Sequence, residues 1–323
     1  MKPGEVSQSG DIELRQLGNN DIAEAARCDR TAFATFLGLP GPDHFRPGAD
    51  VIGPRLRAWP EASFAITDGG RLAGIALMMR WGSVAIVGPV TIFPEDWGKG
   101  HARTLMAALV ECAEAAGVET MALITHVQSP THVRLYESFG FTMQRITSIM
   151  VKPPGKEERL NGCAVIAPTD AVAVTQLVQG ARLVTDAMFS GLDLGSEIAS
   201  VASEGIGEFV VANSGTPGAG GFAICHHGPG SEASTGQYYV KFACVPPGQD
   251  APTRFREILS ACEARAAALG AETIIAGTSS ARTTAYATMK DAGFRAIINC
   301  VAMMRPGGDL YNRPDILAID DWR

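Results

Sequence analysis

Two stretches of this chain repeat each other in content and order. Gly117-Val118-Glu119-Thr120 and Gly270-Ala271-Glu272-Thr273 lie 153 positions apart, each after an Ala-rich helical pattern and before an apolar, strand-like run. The same displacement carries Pro94 onto Pro247, Gly140-Phe141 onto Gly293-Phe294 and Met150 onto Met303. A gapless period this long means two copies of one domain, because solenoid units run only to about 20–50 residues. Upstream, Gly74-Ile75-Ala76-Leu77 resembles Gly221-Phe222-Ala223-Ile224 at a displacement of 147, so the second copy holds six extra residues. The Gly/Ser-rich run Gly228 to Gly236 is where they are expected.

The repeat divides the 323 residues into a first domain over 1–152, a linker over 153–162, a second domain over 163–305 and a tail over 306–323. The run Lys152 to Asn161 is polar, contains proline and lacks hydrophobic periodicity, as a linker should. In the tail, Ile316-Leu317-Ala318-Ile319 is apolar enough to dock on the rest of the chain. A hydrophobic fraction of 46% supplies two cores.

Within each copy the pattern predicts helices, a strand meander, a strand leading into a helix, another strand, another helix and a last strand. In the first copy the meander is expected over Ser63 to Thr67, Leu72 to Arg80 and Val84 to Phe93, with turns at Asp68-Gly69-Gly70 and Trp81-Gly82. Thr104 to Ala116 has helical spacing and a glycine stop at Gly117; Met121 to His126 reads as a buried strand and Thr131 to Phe139 as a second helix. The fold class is α/β, a mixed sheet with helices on both faces, built twice.

Net charge of −7 weighs against a nucleic-acid partner, which needs clustered Lys and Arg. No apolar segment approaches the length of a membrane span, and the N-terminus lacks the basic-then-apolar pattern of a signal peptide. Seven cysteines without paired spacing suggest reduced, packed thiols and no zinc site, hence a cytoplasmic protein with no metal. Cys112 and Cys262 sit in helical patterns and read as core. A homodimer is left open.

The chemistry concentrates in Val90-Thr91-Ile92-Phe93-Pro94-Glu95-Asp96-Trp97-Gly98-Lys99-Gly100-His101-Ala102-Arg103, a strand, a glycine loop and a helix start. Such a loop offers free N–H groups at the positive end of a helix dipole, which suits a pyrophosphate. Gly98 and Gly100 let backbone approach phosphate, and small Ala102 leaves room. Alone, a Gly-x-Gly is more often a tight turn. Together with Leu135-Tyr136-Glu137-Ser138-Phe139-Gly140-Phe141, however, the segment resembles the GNAT superfamily of acyl-coenzyme A N-acyltransferases. That family runs from a strand through proline into a Gln/Arg-x-x-Gly-x-Gly/Ala loop, then a helix ending Leu-Tyr-Glu-x-x-Gly-Phe. The resemblance spans Ile12 to Lys152 and, with degraded motifs, Ala164 to Arg305.

The resemblance implies two tandem domains, each a mostly antiparallel, splayed sheet flanked by helices, with acetyl-CoA as cosubstrate. It implies that Val90, Thr91 and Ile92 pair with the pantetheine arm and polarise the thioester, and that the loop from Trp97 through Gly98, Lys99, Gly100, His101, Ala102 and Arg103 holds the pyrophosphate. Trp97 stands where the family has Gln or Arg; Lys99 and Arg103 are candidate cations, or solvated surface residues. Ser129 and His132 occupy positions where members often have Asn and Ala, and Ser129 joins the cofactor-binding set. Tyr136 matches the tyrosine that protonates the departing thiolate. The acceptor, a small-molecule primary amine, needs a base, and Val84 to Phe93 carries no carboxylate; His126 is the first candidate and His132 the second. The Pro/Gly-rich loop Phe36 to Phe45 would roof the acceptor site or serve as an ordinary connection.

In the second copy Gly98, Gly100 and Ala102 become Ala251, Thr253 and Phe255, with Pro252 inside the loop, and Tyr136 becomes Met289. This copy is expected to bind no coenzyme A and to wall the cleft, form an interface or take an effector. The rival reading of the whole is a non-catalytic acyl-CoA sensor.

Overall fold

The computed structural model describes residues 12–155, 160 and 162–323; the start of the first domain and part of the expected linker (156–159 and 161) lie outside the described residues. The first half runs β1 (Ile12–Gln16), α1 (Ile22–Leu37), α2 (Ile52–Ala58), β2 (Ser63–Asp68), β3 (Arg71–Trp81), β4 (Val84–Ile92), α3 (His101–Ala115), β5 (Thr120–His126), α4 (Pro130–Glu137) and β6 (Thr142–Lys152). The second half runs β7 (Cys163–Ile166), α5 (Ala171–Met188), α6 (Gly195–Glu204), β8 (Gly207–Ala212), β9 (Phe222–His226), β10 (Gln237–Cys244), α7 (Ala251–Ala268), β11 (Thr273–Ser279), α8 (Thr283–Asp291) and β12 (Arg295–Arg305), then β13 (Ala318–Asp320). Helix α3 begins three residues earlier than its apolar spacing suggests, because His101, Ala102 and Arg103 complete its first turn.

The strands join in one sheet in the order β1-β2-β3-β4-β5-β12-β6-β11-β10-β9-β8-β7, with β13 on β10. The last strands of the two halves are exchanged: β12 pairs with β5, β6 pairs with β11, and β6 and β12 lie antiparallel at the centre. The registers are symmetric, for Cys300 faces His126 and, 153 positions displaced, Thr147 faces Ser279. The exchange extends into the cores. Val301 and Met303 of β12 pack with Leu105, Met121 and Leu123, while Met150 of β6 packs with Phe255 and Ile274. A third core joins both halves directly, Trp81 and Met79 packing with Leu192, Ile198 and Phe242.

The long β9–β10 connection, 227–236, reaches into the first half. Ser231 accepts a backbone bond from Asp50 at 2.8 Å and Thr235 donates one to Pro47 at 2.8 Å. Glu232, buried, takes a two-pronged pair from Arg55 and a third bond from Lys241, itself bound to Glu197. Although burial works the other way, Arg55 and Lys241 hold the Glu232 carboxyl well below the usual range. Breaking one member of such a buried set leaves an uncompensated charge, so the network fixes how the halves meet.

Candidate active site

Strands β4 and β5 run parallel, yet they pair only from Val84–Ile86 to Thr120–Ala122. Beyond that, β4 continues to Ile92 paired on its β3 side, and β5 continues to His126 paired on its β12 side. The strands splay apart, and the facing edges around Val90, Thr91 and Ile92 have no strand partner among the described residues. A β-bulge opposite Leu77 re-aims the end of β4.

The gap leads to the glycine loop. The backbone N–H groups of Gly98, Lys99, Gly100, His101 and Ala102 have no acceptor among the described residues, whereas Arg103 already bonds back to Gly100 at 3.0 Å. Gly98 and Gly100 have φ of 80° and 90°, a region costly for any residue with a Cβ, and no atom lies within 4 Å of where that Cβ would point. The open space and run of free donors at the start of a 15-residue helix fit a pyrophosphate. Trp97, about half exposed, donates its indole N–H to the Ile92 carbonyl at 2.7 Å and so ties the loop to the strand end.

The side-chain cations of the loop have other partners. Lys99 donates to Asp96 at 2.7 Å and to Asp68 at 3.3 Å, and Arg71 clamps both Asp96 oxygens. These pairs pin the loop from below and leave Lys99 committed to carboxylates. Arg103 lies over the Phe139 ring and donates to Ser138 at 3.0 Å, which bridges α3 to the end of α4. Buried His101 shares a neighbourhood with Asp68 and Asp96, their ligand atoms within 4.8 Å of one another. Asp96 is already satisfied by Arg71 and Lys99, while the His101 Nε2 is buried without a partner among the described residues. Ser129 is buried and caps α4, accepting from the His132 backbone at 3.4 Å.

Tyr136 lies on α4, its ring edge-on to Phe141 with centroids 6.1 Å apart, packed against the core that holds Leu123 of β5. Burial pushes its phenol up to about 12, and its hydroxyl makes no hydrogen bond among the described residues. It is therefore a protonated donor without an internal partner. On β5, Leu123 and Thr125 alternate with Ile124 and His126, so Tyr136 and His126 serve opposite faces of the strand.

On the second face the Phe36 ring touches both candidate bases, 5.1 Å from His126 and 5.0 Å from His132. Burial, reinforced by Arg46, lowers the His126 pKa, and burial followed by His126 itself lowers that of His132. Both are neutral at pH 7 and can accept a proton. Phe45, at the end of the roof loop, stacks on Phe33 at 4.7 Å. Sequence reasoning missed two residues here. Asp29 lies on the α1 face of Phe33 and Phe36, is buried, and has an Oδ1 without a hydrogen-bond partner; burial pushes its carboxyl up to about 6. Arg46 follows the roof loop and acts on both Asp29 and His126. The available signal was the one acidic residue on the apolar stripe of α1.

The second half repeats the parallel pairing, Gln237–Val240 with Thr273–Ala276, but there the gap is filled. The tail strand β13 pairs antiparallel with Phe242–Cys244 at the place where β4 is free. Gly277 makes room, since a Cβ on it would come within 2.3 Å of the Asp321 Cβ; its counterpart in the first half is Ile124. Buried Arg282, counterpart of Ser129, bonds Asn312, Ala318 and Asp320 and holds the tail down. Residues matching Gly98 and Gly100 form the first turn of α7, while Phe255 lies in the core beside Met289 rather than in a phosphate-sized space.

Residues 29–141 match the family model described as Acetyltransferase (GNAT) family. No curated protein is significantly similar in sequence. Among solved structures the chain is similar to a putative acetyltransferase from Pyrococcus horikoshii, with TM-score 0.68, 16% identity, and coverage of 100% of this chain and 98% of that one. It is also similar to a GCN5-related N-acetyltransferase from Sphaerobacter thermophilus, with TM-score 0.61, 16% identity, and coverage of 93% and 98%. A tandem GNAT protein from the clavulanic acid biosynthesis pathway matches with TM-score 0.52 and 12% identity over 91% and 98% of the two chains. The fold is thus that of the tandem GNAT proteins, and residues 29–141, in the first half, match the GNAT family model. No helix among the described residues is long and apolar enough to cross a membrane.

Proposed function

We propose that this protein moves an acetyl group from acetyl-CoA to a primary amine of a small molecule, using the first half as the catalytic unit. The observation that carries the reading is the splayed β4–β5 gap, which ends at five free N–H groups on one side and has an unbonded phenol against β5. In this reading the N–H groups of Gly98 to Ala102 hold the pyrophosphate, and the edge of Val90, Thr91 and Ile92 pairs with the pantetheine amides and orients the thioester. Bound acetyl-CoA supplies the activated acyl carbon; the chain supplies position and protons.

His126 accepts one proton from the ammonium on the α1 face, which frees the nitrogen lone pair; the C–N bond forms as the C–S bond breaks, and the nitrogen then gives its surplus proton to solvent, from which the Tyr136 phenol is restored after it has protonated the sulfur. Tyr136 gives its proton to the departing sulfur from the α4 face, and its high pKa keeps that proton in place at neutral pH. Opposite faces suit opposite proton movements, since the base and the acid do not neutralise each other. The second half, 163–305, serves as scaffold, its own gap closed by β13. Seven free cysteines suit a reducing, cytoplasmic setting.

The test is thiol release from acetyl-CoA across an amine panel, with Tyr136→Phe beside the native chain. The expected result is turnover lowered by about 10²–10⁴ with acetyl-CoA affinity retained. Equal turnover removes Tyr136 from the mechanism, and acetyl-CoA binding without turnover on any amine favours an acyl-CoA sensor.

A further inference from the structure

The face of β5 that carries His126 looks onto a narrow recess shared by the two halves. Ile124, one strand repeat before His126, packs with Tyr239 and Ile275, and these two line the recess together with Arg46, Arg323, Glu232, Ser234 and Gln237. Two guanidinium groups therefore face one small space on the side of β5 that carries His126, one from the first half and one from the tail.

Neither guanidinium has all its N–H groups bonded among the described residues. Arg46 is half-buried and makes no side-chain hydrogen bond or ion pair among the described residues; burial, and next the nearby Arg323, push its pKa down. A cation held in that setting favours an anion beside it. The Arg323 Cζ lies over the Tyr239 ring, 4.1 Å from its centroid, and its Nε is 3.0 Å from Asp321, yet its Nη2 is buried without a partner among the described residues. Of the nearby carboxylates, Glu232 is committed to Arg55 and Lys241, while Asp321 accepts from the Tyr239 hydroxyl at 3.0 Å and pairs with Arg323 at its Nε, leaving the Arg323 Nη2 over. Asp29 acts on Arg46 without forming an ion pair with it.

We propose that the recess binds a carboxylate of the acceptor, held between Arg46 and Arg323, so that the substrate is a small amine of the amino-acid class. A carboxylate is planar and matches the guanidinium fork. Held there, it directs the acceptor amine toward His126 and the gap. The tail then has a second role: β13 fills the gap of the second half and delivers Arg323 to the active site of the first. Arg46 and Arg323 are positioning and specificity residues. The proposal rests on the transferase reading for its naming of the ligand as the acceptor, but the carboxylate site can be measured without turnover.

The experiment uses the full chain and matched pairs of amines, L-lysine with cadaverine and L-ornithine with putrescine, titrated by calorimetry with and without coenzyme A and assayed for thiol release. The amino acid of each pair is expected to bind about 10- to 100-fold more tightly than its decarboxylated partner, the range of a charge-assisted hydrogen-bond set. Arg46→Ala and Arg323→Ala should each abolish most of that ratio in binding, with the affinity for coenzyme A unchanged. Arg46→Lys should restore part of it. Arg46 makes no side-chain bonds among the described residues, so Arg46→Ala should fold normally; a matching melting temperature checks this. Equal binding within each pair, or an unchanged ratio in Arg46→Ala, overturns the proposal, as does acetyl-CoA binding with no binding of any of the four amines. If acetyl-CoA fails to bind while the carboxylate preference and its loss in Arg46→Ala persist, the transferase reading falls and the anion site stands.

Discussion

Replacing Asp29 with asparagine should make the protein more stable at neutral pH and leave it little changed in acid. Burial raises the folded carboxyl from 3.8 to about 6, against the pull of Arg46 and Arg55. A raised carboxyl pKa means that between these values the folded chain holds a proton the unfolded chain has lost. Stability therefore declines as pH climbs through that window and stays lower above it. A rise of roughly 2 pH units at about 1.36 kcal/mol each gives about 3 kcal/mol. The asparagine side chain has no charge to bury, so the difference between Asp29→Asn and the native chain should be smallest near pH 4 and grow by about 3 kcal/mol toward pH 7. A fixed offset from the new amide shifts the curve without changing its slope. Urea unfolding of both chains at about pH 4.5, 5.5 and 7.0 measures it. Parallel pH profiles would show that Asp29 ionises normally and that the α1 face is wetter than its packing implies.

Other expectations follow from the same geometry. Gly100→Asp should abolish the rise in melting temperature given by acetyl-CoA, because it sets a carboxylate at the free N–H groups and a Cβ at a φ of 90°; an undiminished rise rules out that loop as the phosphate site. Arg282→Ala should cost about 3–5 kcal/mol by leaving Asp320 buried and unpaired, and hydrogen exchange should find the Ala318–Asp320 amides deprotected first. For His126, whose pKa burial lowers, the acid limb of the native rate should lie on the acid side of an ordinary imidazole's; His126→Gln should be slower with a flat acid limb. A flat limb in the native chain points to another base.

Much of this site can be read along the chain because its parts are local. The Gly98-x-Gly100 loop, the helix that follows and the Leu135 to Phe141 segment each depend on neighbours a few residues away. Trp97 shows the limit: its departure from the family pattern is visible in the sequence, but its bond to the Ile92 carbonyl is a fact of the folded loop. Lys99 shows it again, since an exposed lysine beside glycines reads as a phosphate ligand until Asp68 and Asp96 are placed around it.

By itself the sequence determined that there are two copies, where the first copy's meander and the helices and strand after it fall, and which copy keeps the glycine loop, because periodicity and turn chemistry act over short range. Tertiary structure alone decided which strand each partner receives. Strands β6 and β12 are related by the repeat and present similar edges, so nothing local says that β12 joins β5 and β6 joins β11. Nor could local pattern say that β13 closes one gap and leaves the other open, or that Arg46 and Arg323, drawn from opposite ends of the chain, meet around one small space. Those outcomes depend on the competition of whole surfaces for burial and of buried charges for partners, which only the assembled chain resolves.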